Sequence, residues 1–131
     1  MRIVDVNNQK TKALPAAAAT AYTDSINLGT VIPGPIGSGL ELQILCPAVP
    51  DLVDAKTITY YLQDSADDST FANVVGVGNI VQTGAGGVGA AAVTVRLYLP
   101  PGIRQYIRVS AAVLTAGGSN IAKSFTLQLV I

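Results

Sequence analysis

The sequence predicts an all-β fold: a single-domain antiparallel β-sandwich, a jelly roll of about eight strands with an extended N-terminal arm. Three observations carry this reading. Apolar and polar residues alternate with period two over five separate stretches, as half-buried strands do. Clusters rich in Gly and Pro separate those stretches. The chain has 131 residues, the length of one domain with one core. Many short strands and tight turns in a single domain indicate a sandwich or barrel, with the jelly roll as the best single choice.

In chain order, a weak strand fits residues 2–6. Residues 7–23 lack alternation and contain Pro15 followed by Ala16 to Ala19; a short Ala run behind a proline does not sustain a helix, so this segment is expected to be an irregular arm that orders against a neighbour, or a long loop packed on its own domain. A second weak strand fits 25–31. Leu40, Leu42, Ile44 and Cys46 then face inward against Glu41, Gln43 and Leu45. Ile58, Tyr60 and Leu62 form the next inward face. Residues 73–83 read as a strand interrupted by Gly76 and Gly78, which mark a bulge or an edge. Val93, Val95, Leu97 and Leu99 follow, then Ile107, Val109, Ala111 and Val113, then Phe125, Leu127, Leu129 and Ile131. Turns are expected at 32–35, 47–50, 64–70, 84–89, 100–102 and 116–119.

Half of the residues are hydrophobic and only 12% are charged, against about 25% charged in an average domain. Such a surface is either neutral and polar or covered by partners, and homo-oligomerisation is one way to cover it. Net charge is zero but unevenly spread. The first 68 residues hold all eight acids and four cations, a net −4; the remainder holds Arg96, Arg104, Arg108 and Lys123, a net +4. Cys46 is the only cysteine, sits in an apolar run and packs as a small hydrophobe. Neither a signal-peptide core nor a membrane-spanning apolar stretch is expected, which places synthesis in a reducing compartment.

The chain contains no histidine. That excludes Ser-His-Asp and Cys-His nucleophile sites and His-ligated metals. Gly84 to Gly89 matches G-x-G-x-x-G as a string, but the phosphate-binding version needs a helix to follow and an acid about 20 residues on. Here a strand pattern follows and no acid lies beyond Asp68, so a mobile glycine loop between strands is expected. Asp64, Asp67 and Asp68 cluster in a Ser-rich stretch; turn capping outweighs calcium binding, because the EF-hand spacing and its closing Glu are missing. Tyr22, Tyr61 and Tyr98 are the outward tyrosines that could stack on sugars, although cross-strand packing is commoner. Arg96, Arg104 and Arg108 are candidates to share a face. Eight cations without a cluster argue against nucleic acid.

Three segments then bear on kinship: Ile58 to Ala72, a strand running through a Tyr pair into an Asp-rich turn and Phe71; Val95 to Val109, a strand, the Pro100-Pro101-Gly102 turn and Tyr106-Ile-Arg-Val109; and Asp24 to Gly29 ahead of the first long strand. Together, over most of residues 20–131, these resemble the small capsid cement, or head decoration, proteins of tailed bacteriophages. The resemblance implies a jelly roll that forms trimers on the outer capsid surface where capsomers meet, binding the major capsid protein and stabilising the expanded shell. It implies a virion location after synthesis in the host cytoplasm. The chain departs from the family in ending on a strand residue, Ile131, so no projecting accessory domain is expected.

The expected function is therefore structural and non-enzymatic, with no cofactor, no metal, no nucleic acid and no membrane. A tail- or fibre-associated β-sandwich is the alternative, and a carbohydrate-binding module is a more remote one. The expected contact residues are Leu14, Pro15 and Tyr22 on the arm, and Pro100, Pro101 and Arg104 at the proline turn.

Overall fold

The computed structural model describes residues 4–28, 41–100 and 102–130. Within them the chain forms ten strands: β1 (Val4–Ala13), β2 (Thr20–Tyr22), β3 (Ile26–Asn27), β4 (Glu41–Cys46), β5 (Thr57–Ser65), β6 (Ala72–Asn73), β7 (Ile80–Thr83), β8 (Val93–Tyr98), β9 (Tyr106–Val113) and β10 (Ser124–Val130). The expected turn at 32–35 lies outside the described residues, as do Leu40, Pro101 and Ile131.

The front sheet runs β1-β10-β4-β8. The back sheet runs β2-β9-β5-β6, with β3 beside β2 on β9 and β7 beside β6 on β5. All strand pairs are antiparallel. Joining β2 with β3, and β6 with β7, as two broken strands leaves eight. First then pairs with last, second with seventh, third with sixth and fourth with fifth, which is a jelly roll. The expected count of about eight is thus this grouped number. The break between β6 and β7 contains Gly76 in a left-handed conformation (φ 86°), where a glycine costs least.

Alternation sets the core. Leu42, Ile44 and Cys46 of β4, Ile58, Tyr60 and Leu62 of β5, Ile107, Val109, Ala111 and Val113 of β9, and Phe125, Leu127 and Leu129 of β10 are all buried between the sheets. Tyr60 meets Phe125 edge-on across the sandwich, with ring centroids 5.7 Å apart. Burial pushes the Cys46 thiol up to about 12, so it packs as an inert hydrophobe. Gln82 of β7 is also buried, and every polar atom of its amide is used. Its Oε1 accepts the Tyr60 hydroxyl at 2.7 Å, and its Nε2 donates to the carbonyls of Pro47 (2.7 Å) and Ala91 (3.0 Å).

The expected irregular arm over 7–23 is a correction. Most of it is strand: β1 pairs with β10 through Ala13, and β2 pairs with β9. The reason lies in edge position. Lys10 and Lys12 stand opposite Leu127 and Phe125, at inward register positions, yet Lys12 is exposed and Lys10 only half-buried at the open rim. Inward lysines protect an edge strand from pairing with other chains, and they erase the apolar alternation that marks a strand. Between β1 and β2 the chain turns at Ala18 (φ 64°).

Candidate functional site

Three surfaces are distinguishable. The first is the outer face of the back sheet. Register places Thr20, Ala112, Thr59 and Val81 in one row, Tyr22, Ser110 and Tyr61 in the next, and Arg108, Gln63 and Asn73 in the third. Thr57 with Thr83 and Asn27, Tyr106 and Ser65 complete its ends. Among these strand positions Arg108 carries the single charge. Its guanidinium lies between two aromatic rings, 4.0 Å from the Tyr22 centroid and 3.9 Å from that of Phe71, and its Nε donates to Gln63 Oε1 at 2.9 Å. One ring face of Tyr22 is therefore covered by this cation.

The second surface is the sandwich end formed by residues 66–71, 99–100 and 102–105. Here Arg104 closes over Asp64. Asp64 Oδ1 accepts from Arg104 Nη2 (2.8 Å) and Nε (3.1 Å), its Oδ2 accepts the Arg104 backbone N–H (3.1 Å), and its carbonyl accepts Nη2 (2.9 Å). Burial alone would push the Asp64 carboxyl up; the hydrogen bonds and charge of Arg104 outweigh it and hold it below its ordinary value. In the adjoining turn, Asp67 Oδ1 accepts the Ser65 hydroxyl (2.8 Å) and the backbone N–H groups of Ser69 and Thr70 (both 3.0 Å). Those bonds hold the Asp67 carboxyl at about 2. The acidic loop is thus a capped turn, and no three potential ligands gather around a common point among the described residues.

The third surface is the opposite end, where four connections meet: 14–19, 47–56, 84–92 and 114–123. They are cross-linked by backbone hydrogen bonds from Leu14 to Lys123, from Val53 to Gly117, between Val49 and Ala90, and from Ala55 to Gly84. The Gly87 N–H donates to Asp54 Oδ1 at 2.9 Å. A Cβ at Gly84 or Gly89 would collide with the carbonyls of Val53 or Val49, so the expected mobile glycine loop is pinned at both ends. Its first and last glycines serve close backbone packing, and a strand, not a helix, follows.

The expected contact residues do not converge. Leu14 is 2% exposed and belongs to the core, a correction: the chain turns inward at the end of β1. Pro15 is half-buried at the four-loop end, Tyr22 is 42% exposed on the back sheet, and Pro100 is half-buried at the Arg104 end. Arg104 is exposed but committed to Asp64. Pro101 lies outside the described residues. The three arginines do not share a face either: Arg96 is on the front sheet opposite Gln43, Arg108 is on the back sheet, and Arg104 is at one end. Sequence reading missed the exposed apolar residues Val53, Val88, Leu114 and Ile121, all in the four-loop connections. Their signal was apolar side chains inside Gly- and Ala-rich turns, where no strand pattern claims them.

No family model matches the chain, and no curated protein matches it.

Proposed function

We propose that this is a structural virion protein, a capsid cement protein that assembles as a trimer and binds the major capsid protein on the outer surface of the expanded phage head. The observation that supports it is the near-absence of charge on the outer face of the back sheet. Of fifteen strand positions there, fourteen are Thr, Tyr, Ser, Ala, Asn, Gln or Val, and the fifteenth is a cation stacked between aromatics. Depletion of charge with enrichment of Tyr and Arg is the composition of a protein interface core. The absence of histidine from the sequence and the jelly-roll topology fit a binding role without chemistry.

The test mixes the purified protein with expanded, undecorated heads of the phage that encodes it. Saturable co-sedimentation and a trimeric mass by light scattering are the expected results. A monomeric mass with no binding to expanded heads would falsify the proposal. Binding to tails or fibres alone would move the protein to another part of the virion.

A further inference from the structure

We propose that the four-loop end of the sandwich is the surface that seats on the capsid, through a groove that takes an apolar side chain flanked by a carboxylate of the major capsid protein. This rests on the cement reading above and assigns it a site. Three observations carry it.

The end carries four exposed large apolar residues, whereas beside Arg104 at the opposite end the exposed large apolar residue is Val75. Val88 is 73% exposed, Ile121 58%, Leu114 46% and Val53 44%. At the other end, the exposed described residues include Asp67, Asp68, Ser69, Thr70, Arg104 and Gln105. Clustered exposed apolar residues with a polar rim mark a protein contact.

A groove of about 390 Å³ opens among these loops, lined by Ala48, Pro50, Val88, Ala91 and Lys123. Its lining is small and aliphatic apart from Lys123, its one charged residue. Lys123 makes no ion pair among the described residues. An apolar side chain fits that lining, and a neighbouring carboxylate complements the ammonium.

The surface is held in shape. The cross-links between the loops were given above, and Ala18, Ala55 and Ala116, each in one of these loops, adopt left-handed conformations (φ 64°, 64° and 62°). All three are exposed. An alanine there is costlier than a glycine and adds a methyl group to the surface. A rigid apolar end suits a folded protein partner, because little ordering remains to be done on binding. The end carries two acids, Asp51 and Asp54, and two cations, Lys56 and Lys123. That balance lacks the cationic excess an anionic membrane selects.

The experiment compares Val88→Asp and Lys123→Glu with Asp68→Lys at the opposite end and with wild type. It measures binding to expanded heads by co-sedimentation, mass by light scattering and folding by circular dichroism. Val88→Asp is expected to keep its fold and mass and to bind heads at least about tenfold more weakly. Lys123→Glu is expected to bind more weakly at low salt, with the difference from wild type shrinking as salt rises. Asp68→Lys is expected to bind like wild type. If both end variants bind like wild type, or if they change mass while binding is kept, the inference is overturned and the cement reading stands. If wild type itself fails to bind heads, both fall together.

Discussion

Arg104 holds Asp64 by its side chain and by its backbone at once, fastening residues 102–105 to the end of β5. Three residues on, Asp67 caps its own turn through the N–H groups of Ser69 and Thr70. Both carboxyls are held below their ordinary range.

The sign of the pH dependence follows. A carboxyl whose pKa is lower folded than unfolded contributes stability above the unfolded value, about 3.9, and loses it as pH falls through the folded value, about 2 for Asp67. Thermal midpoints should therefore be flat near neutrality and fall as pH drops from roughly 5 towards 2. Asp67→Asn keeps an acceptor oxygen for the turn but removes the titration, so its midpoint should fall less over the same window. Parallel curves for wild type and variant would show that Asp67 is not a source of the acid sensitivity.

A second prediction concerns the Tyr60–Gln82 pair. Tyr60→Phe leaves Gln82 Oε1 buried without its donor, a loss of about 1–3 kcal/mol. Gln82→Ala should cost more, because it strands the Tyr60 hydroxyl and two carbonyls and leaves a cavity. Since both substitutions break the same bond, the double variant should be less destabilised than the sum of the two. Urea unfolding of the four proteins measures this, and strict additivity would contradict the geometry.

What was legible in the sequence follows from where each residue sits. β5, β9 and β10 lie in the interior of their sheets, so their inward faces are apolar, except for Asp64 near the end of β5, and the period shows. β1 is equally a strand, but its inward positions at the rim hold Lys10 and Lys12, and it reads as an arm. Its strand character comes from pairing with β10, some 115 residues away, which no local pattern records. The surfaces were less legible still. Arg108 meets Tyr22 and Phe71 only because β2 and the turn after β5 flank β9, so three unremarkable outward residues form one stack. The four-loop end is assembled from connections far apart in the chain, each bland alone.

The glycine-rich loop provides a third prediction. Gly89→Ala places a methyl group into the Val49 carbonyl at a left-handed backbone position (φ 71°), and it should destabilise by about 3 kcal/mol or more. Gly86→Ala meets only open space and carries the backbone penalty alone, about 1 kcal/mol. Chemical denaturation of the two single variants decides the order.

The last prediction tests the uncharged back-sheet face as the self-association surface. Thr59 stands opposite Ala112 in the middle of that face, with Thr20 and Val81 completing the row. Its side chain points away from the core, so Thr59→Glu should leave the fold and the thermal midpoint of the protomer nearly unchanged, within about 0.5 kcal/mol. Between subunits, however, the same carboxylate would be buried without a partner cation, and that penalty is several kcal/mol. The expected outcome is a shift in mass from trimer to monomer at micromolar concentration, with unchanged circular dichroism. Arg96→Glu on the front sheet serves as the control, since it alters charge on a face to which no self-contact is assigned. Loss of the trimer in the control but not in Thr59→Glu would transfer the interface to the front sheet.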